Sequence, residues 1–134
     1  MAKTSINPDG MPPPVGPYAH VVMAPPGGRL VYCAGAVAYD ANGDVVGEGD
    51  IVAQTHQVME NLRLALSAAG ATFADVVKVT NYVTDASLWP QVLPVRAEYL
   101  TEPYPVSTFV EVSALMFPEL LVEIEAIAVV YDQA

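Results

Sequence analysis

The segment 120–130, LLVEIEAIAVV, alternates between two kinds of residue, and this alternation limits the folds open to the chain. Successive side chains of a β-strand point to opposite faces of a sheet, so one face receives only apolar residues. The other face receives Glu123 and Glu125 among apolar neighbours. The wholly apolar face must be covered by another layer, which predicts a sheet with helices packed on that one face.

The preceding segment 105–113, PVSTFVEVS, is predicted to be a neighbouring strand because it is rich in β-branched and aromatic residues. We expect Ser107, Phe109 and Glu111 to share the uncovered face of the sheet with Glu123. A face that mixes apolar residues with carboxylates suits neither a dry core nor open solvent. It suits a subunit interface that contains polar pockets.

The first helix has the clearest pattern in the chain. Apolar residues recur at spacings of three and four after Asp50, which is a good N-cap residue, and Gly70 is a typical stop signal. A second helix is predicted further along the chain, and Pro94 either begins its regular part or kinks it, because an interior proline removes a hydrogen bond.

The predicted element order is ββαβαββ within a single domain of residues 1–134. Residues 1–16 are rich in proline and glycine, so they are expected to form an N-terminal arm without a regular element. This order predicts an α+β sandwich, in which one sheet carries both helices on one face. The segments are strands 19–24 and 29–39, which form a hairpin, helix 50–70, strand 75–85, helix 87–100, and strands 105–113 and 120–130.

Composition narrows the partners and the compartment. The chain has 15 acidic residues against 5 Lys and Arg, and a net charge of -10 repels nucleic acid phosphates and anionic membranes. A content of 53% hydrophobic residues is more than a small monomer easily covers, which favours a homo-oligomer. The single cysteine, Cys33, cannot form an intramolecular disulfide, and neither a leader nor a spanning segment is evident, so we expect a soluble cytoplasmic protein.

Five stretches match a known family in order and spacing: GPYAHVV, LVYCAG, QTHQVMENLRLALSAAGATFADVVKVTNYVTD, YPVSTFVEV and LLVEIEAIAV. Through them the chain resembles the Rid/YjgF family of reactive intermediate deaminases over nearly its whole length. The resemblance implies a chorismate-mutase-like fold and a homotrimer around a central barrel, with active sites between subunits. It also implies hydrolysis of small enamines and imines to ketones and ammonia, with no metal or organic cofactor.

Three residues of this chain match the family's site motifs: Tyr18, Gly35 and Glu123. The resemblance gives Glu123 a catalytic role and gives Tyr18 and Gly35 roles in substrate binding. A sheltered carboxylate such as Glu123 can hold a water molecule and pass protons to a departing amine. We expect Tyr18, Gly35, Ser107 and Glu123 to converge on one cleft, with Tyr18 contributed across a subunit boundary.

Other positions depart from the family pattern. The usual SGQ motif reads AGA and ends at Ala36, and a frequent asparagine falls near Leu93. The arginine of the usual PARS motif, which clamps a substrate carboxylate, falls on Ser107. Ala36, Leu93, Ser107 and Phe109 are therefore expected to line an altered substrate pocket.

The missing arginine bears on the substrate. A guanidinium holds a carboxylate through two parallel charge-assisted hydrogen bonds, and a serine hydroxyl cannot replace it. No other cation is expected at the site, because Arg96 matches a surface arginine of the second helix, Arg29 lies at a turn and Lys78 lies on a strand. We therefore expect a substrate other than a simple α-imino acid.

The carboxylates also have a structural interpretation. Lys78 could form a buried salt bridge with Glu123 or Glu125, since such pairs are common at interfaces. The roles of Glu111, Glu125 and His20 stay open at this point. Two functions are compatible with these residues: a hydrolytic deaminase of a small reactive enamine or imine, or alternatively a non-catalytic, trimeric small-molecule-binding or regulatory protein.

Overall fold

The computed structural model of the protein describes residues 2–132 and has an α+β fold, which confirms the predicted class. Single 3-10 turns, Phe73–Asp75 and Ala86–Leu88, precede the fourth strand and the second helix. The strands and helices are β1 (Thr4–Ile6), β2 (Val21–Met23), β3 (Arg29–Ala36), α1 (Ile51–Ala68), β4 (Val76–Val83), α2 (Trp89–Tyr99), β5 (Val106–Glu111) and β6 (Val122–Val130).

Four of these strands form the main sheet in the order β3-β6-β4-β5. Strand β6 pairs antiparallel with both β3 and β4, whereas β4 and β5 run parallel with α2 as the crossover between them. Strand β5 is therefore an edge strand that has α2 beside it. None of the helices within residues 2–132 is long and apolar enough to cross a bilayer.

The N-terminal arm contains a strand, so the prediction of an arm without a regular element is wrong. Strand β1 pairs antiparallel with β2 in a separate two-stranded ribbon, and the predicted hairpin between β2 and β3 is therefore also wrong. Side chains fix the arm to the domain: the Lys3 ammonium donates to the Val76 carbonyl, and the Ser5 hydroxyl donates to the Tyr104 carbonyl at 2.6 Å. These long-range hydrogen bonds hold the arm in place, although its proline-rich sequence does not itself favour a strand.

Helix α1 has the predicted ends. The Asp50 carboxylate accepts a hydrogen bond from the Ala53 backbone N–H at 3.1 Å, as an N-cap residue does. The chain leaves the helix through Gly70, whose φ of +73° is readily adopted only by glycine. In α2, Pro94 lies inside the helix and does not begin it.

One face of the sheet packs against the helices, and β6 shows which. Val122, Ile124 and Ala128 are fully buried beneath α1, which confirms that the wholly apolar side of β6 faces the helices. Glu123 and Glu125 lie on the opposite side, which we call the open face of the sheet. It also carries exposed apolar side chains, those of Tyr32 in β3 and Val110 in β5 among them.

Strand β5 is oriented opposite to the prediction. Ser107 pairs with Val79 and Glu111 pairs with Val83, and both valines are buried in the core beneath the helices. Ser107, Phe109 and Glu111 therefore face the helices and do not share the open face with Glu123. The prediction failed because both sides of this strand mix polar and apolar residues, so that no hydrophobic pattern fixes which side is buried.

Candidate functional site

A cleft of about 290 Å³ lies between α2, the edge strand β5 and the segment that precedes β2. We call it the α2–β5 cleft. Four of the residues predicted to bind substrate meet there: Tyr18, Leu93, Ser107 and Phe109. The lining residues are Val15, Gly16, Tyr18, Trp89, Leu93, Arg96, Ser107 and Phe109.

Backbone contacts place Tyr18 in the cleft. The Ala19 N–H donates to the Pro105 carbonyl at 3.0 Å, which ties this segment to the start of β5. Gly16 permits a close approach to α2, since a Cβ there would lie 3.3 Å from the Leu93 side chain. Tyr18 and Ser107 thus belong to the same cleft of one chain, and no subunit boundary separates them.

Arg96 is the residue that sequence reasoning missed. It is only 1% exposed, so its expected place on the surface is wrong. Its Nη2 donates to the Ser107 hydroxyl at 3.2 Å, its guanidinium lies 5.2 Å from the centre of the Trp89 ring, and its buried Nε has no hydrogen-bond partner. The signal was its spacing, because Arg96 follows the buried Val92 by four residues and therefore lies on the same side of α2.

Burial also determines the electrostatics of Arg96. Desolvation lowers the pKa of its guanidinium to about 10, because the protein interior disfavours the charged form. The group still carries its charge at neutral pH. The cleft thus contains a sheltered cation at one end, next to the position where the family's arginine was expected.

The Ser107 hydroxyl is a shared acceptor. The buried Asn81 amide donates to it at 3.0 Å and to the Thr108 carbonyl at 2.8 Å, and Arg96 donates from the other side. A carbonyl can only accept, so the amide nitrogen of Asn81 must be the atom that faces Thr108. With two donors already directed at its oxygen, the Ser107 hydroxyl has its own hydrogen left for a further acceptor.

Glu123 and Gly35 meet on the open face of the sheet. A Cβ at position 35 would overlap the Glu123 carboxylate, so the glycine makes room for that side chain. Burial raises the pKa of Glu123, and the neighbouring negative charge of Glu125 raises it further. The carboxylate therefore binds a proton more readily than an ordinary glutamate does.

The other two glutamates are held by the protein. Glu125 accepts a hydrogen bond from the Tyr82 hydroxyl at 2.7 Å, and Glu111 accepts one from the Ala86 N–H at 2.8 Å, at the 3-10 turn before α2. Among residues 2–132, Lys78 forms no ion pair, so the salt bridge to Glu123 or Glu125 is not found. Of these three carboxylates, only that of Glu123 lacks a hydrogen bond from the described residues.

The remaining candidates line neither the α2–β5 cleft nor the surroundings of Glu123 and Gly35. Ala36 lies at an irregularity in the pairing of β3 with β6 and packs against the core. The His20 ring contacts the Tyr18 ring edge-on, with the ring centres 6.0 Å apart. Cys33 is buried, and burial raises the pKa of its thiol. Across residues 2–132 no group of His, Cys, Asp or Glu side chains is arranged to hold a metal ion.

Comparison with known proteins identifies the family. Residues 10–130 match the model of the family described as Endoribonuclease L-PSP, which is also called Rid/YjgF. The chain belongs to the Rid/YjgF family. A RutC family protein of Pyrococcus horikoshii is 40% identical over 126 residues, which cover 94% of this chain and 97% of that relative.

Two further relatives are similar over nearly the whole chain, and one of them has a named activity. A protein of Acinetobacter baylyi named 3-aminoacrylate deaminase RutC is 38% identical over 128 residues, which cover 96% of this chain and 98% of the relative. The crystal structure of a Rid family protein of unknown function from Yersinia pestis, YyfB, matches with a TM-score of 0.87 and 41% identity, over 96% of this chain and 98% of that one. The family and the relative named as a deaminase support a function of the general deaminase type.

In this Rid family chain the predicted site residues divide between the two faces of the sheet. Glu123 pairs with Tyr82 and Ser107 pairs with Val79, and positions three apart on one strand point to opposite faces. A single chain therefore does not bring Glu123 and Ser107 into one cleft.

Proposed function

We propose that the protein is a hydrolytic deaminase that converts a small reactive enamine or imine to a carbonyl compound and releases ammonia. The observation that carries this proposal is the Glu123 carboxylate, which is half-buried against Gly35 and has a raised pKa. No hydrogen bond from the described residues occupies it, in contrast to Glu125 and Glu111. The deaminase named among the relatives supports the same reaction class.

The chemistry needs one group that can accept and return a proton. An enamine takes a proton from solvent on carbon to give an iminium ion, and water then adds to the C=N carbon as the Glu123 carboxylate accepts a proton from it. Glu123 passes that proton to nitrogen, the C–N bond breaks and ammonia leaves, and the hydroxyl proton returns to solvent as the C=O bond forms. A raised pKa suits this cycle, because the carboxyl group holds the proton it takes from water more readily than an ordinary glutamate does. The proposed reaction uses no metal or organic cofactor.

The proposal includes a homotrimer, in which the open face of one copy meets the α2–β5 cleft of the next. Two observations support it. The candidate residues divide between opposite faces of one sheet, and the open face has exposed apolar residues such as Tyr32 beside its carboxylates. A second copy that covers this face would bury those residues and would complete the site.

The substrate belongs to the proposal as well. The cation of the cleft, Arg96, lies on α2 and not at position 107, where the family's arginine was expected, so a carboxylate would be anchored differently and we retain the expectation of a substrate other than a simple α-imino acid. The relative named 3-aminoacrylate deaminase suggests a suitable kind of compound, an enamine in which one carbon separates the carboxylate from the C–N carbon. The net charge of -10 does not suit an RNA substrate, despite the word endoribonuclease in the family's description.

The test measures ammonia release above the spontaneous rate from enamines and imines generated in situ, with 3-aminoacrylate and 2-aminoacrylate as the first pair. Glu123→Gln keeps the shape of the side chain and removes the proton acceptor, so we expect it to lower the rate by about 10²–10⁴-fold without changing the oligomeric state. Glu48→Gln is the matched control, because Glu48 is exposed and is not one of the candidate site residues.

Two results would contradict the proposal. Saturable binding of substrate-like compounds without any turnover would favour the non-catalytic alternative, a small-molecule-binding or regulatory protein. Loss of assembly in Glu123→Gln, together with loss of activity, would assign Glu123 a structural role at the interface.

A further inference from the structure

Arg96 differs from the other two arginines of the chain. Arg29 pairs with Asp132 at 2.9 Å and Arg63 pairs with Glu60 at 2.8 Å, and both side chains are about half-exposed. Arg96 is fully buried and has no carboxylate partner among residues 2–132. Burying a charge costs more free energy than exposing it, yet the buried Arg96 is the arginine to which the described residues supply no negative charge.

We propose that Arg96, together with the Ser107 hydroxyl, binds the carboxylate of a small anionic ligand in the α2–β5 cleft. The inference deepens the proposed function by naming the substrate class, and it rests on that function in taking the bound carboxylate to be part of the enamine or imine. The cation lies on α2, four residues after Val92, and not on β5, where the family resemblance placed it.

The donors of Arg96 are available for a ligand. A guanidinium has five N–H groups, and one hydrogen bond, to Ser107, is the only one that the described residues provide. The Ser107 hydroxyl has its own hydrogen left, because Asn81 and Arg96 both donate to its oxygen. A carboxylate in the cleft would accept from both residues through charge-assisted hydrogen bonds.

The walls of the cleft favour a strong interaction. The Trp89 and Phe109 rings contact each other with their centres 4.0 Å apart and their planes tilted by 34°, and Trp89 also lies beside the Arg96 guanidinium. Such apolar walls exclude water and strengthen the attraction between opposite charges. The volume of about 290 Å³ suits a ligand of a few carbon atoms.

A purely structural role explains these contacts less well. An arginine that only supports the fold is expected to have its donors satisfied, because each unsatisfied buried donor costs stability. Here Nε is buried without a partner, in a chain with 15 acidic residues. The expectation that no cation other than a family arginine reaches the pocket is therefore wrong, and the structure favours anionic over neutral ligands.

Trp89 makes the inference testable without any turnover. It is the only tryptophan of the chain and it lines the cleft, so its fluorescence reports directly on occupancy. Propionate and propionamide have nearly the same shape and differ in charge. We expect propionate to change the Trp89 fluorescence saturably and propionamide to bind at least about tenfold more weakly, since charge-assisted hydrogen bonds are about twice as strong as neutral ones.

Variants separate a binding site from non-specific attraction. Arg96→Met should abolish the response to propionate, and Arg96→Lys should retain part of it as a single point charge. Arg29→Met removes the same charge from an exposed pair and should leave the response unchanged. Ser107→Ala keeps Arg96 in place and should weaken propionate severalfold, which tests the site even if Arg96→Met does not fold.

The outcomes distinguish this inference from the proposed function. Equal affinity for propionate and propionamide, or an unchanged propionate response in both Arg96→Met and Ser107→Ala, would overturn the carboxylate site. Propionate binding that depends on Arg96, in a protein without deaminase activity, would uphold the site and contradict the proposed function. Deaminase activity on neutral enamines without propionate binding would uphold the proposed function and contradict the carboxylate site.

Discussion

Each face of the sheet carries one sheltered ionisable side chain without an oppositely charged partner in the described part of the chain, and the two side chains have opposite charges. Within residues 2–132, the buried Arg96 of the α2–β5 cleft has no carboxylate partner, and the half-buried Glu123 of the open face has no cationic partner. The other two arginines are exposed and each pairs with a carboxylate, Arg29 with Asp132 and Arg63 with Glu60. Unpaired sheltered charges cost stability, and we propose that something outside the single chain completes each of them.

The two faces differ in the kind of partner that we propose for each side chain. The Arg96 cleft has the size and the free donors for a small anion. The open face carries exposed apolar side chains such as Tyr32, and such a surface suits a second copy of the chain. In our account, a substrate that lies between two copies therefore meets a cation from one copy and a proton carrier from the other.

Gly35→Ala gives the larger of the two effects expected from substitutions that leave Glu123 itself in place. The new Cβ would displace the Glu123 carboxylate, and a misplacement of about 1 Å at a catalytic group can lower the rate by about 100-fold. Stability should change little, because the displaced atoms are the end of a flexible side chain. Turnover and thermal unfolding of the same preparation measure both effects.

Gly10→Ala is the control for this substitution, since nothing lies within 4 Å of a Cβ at that position. Propionate binding to the α2–β5 cleft should be unaffected in both variants. Full activity in Gly35→Ala would show that the position of Glu123 beside Gly35 has no part in the reaction.

Glu125→Gln tests a smaller effect, the shift of the pH profile. Glu123 must be deprotonated to accept a proton from water, so activity should rise as the pH increases through its raised pKa. Removing the charge of Glu125 lowers the pKa of Glu123, and the acid limb of kcat/KM should move to lower pH. The shift is modest because burial, which remains, is the larger cause of the raised pKa.

The pH profile of Glu48→Gln serves as the reference for this shift. A move of the acid limb to higher pH in Glu125→Gln would contradict the account, since removing a negative charge cannot raise the pKa of its neighbour through repulsion. An unchanged acid limb would mean that a group other than Glu123 controls it.

The regular parts of the fold could be predicted from the sequence. Helix α1 has a long apolar periodicity with Asp50 and Gly70 as strong end signals, and β6 has one wholly apolar side. Strand β1 could not be predicted, because side-chain bonds of Lys3 and Ser5 to distant carbonyls hold it in place. The orientation of β5 could not be predicted either, because parallel pairing with β4 decides it and its own pattern does not.

The site was predicted in pieces. Motif resemblance found Tyr18, Gly35, Ser107 and Glu123, but it gave no information on which of them share a face of the sheet. Arg96 was misjudged because arginine is usually exposed, although its position four residues after Val92 indicated the buried side of α2. Tertiary packing, which a single sequence does not display, decided both points.

Subunit complementation tests the central claim, that one site combines Glu123 of one copy with Arg96 of another. Glu123→Gln and Arg96→Met chains with different tags are co-expressed, and mixed oligomers are purified and assayed with an anionic enamine. In every mixed trimer, whichever variant is present twice, one of the three sites receives both intact residues, so about a third of wild-type activity should return. Glu123→Gln with Gly35→Ala is the control pair, and it should not recover because both changes lie in the same half-site. Activity of the first mixture no higher than that of the two variants assayed alone would contradict the account.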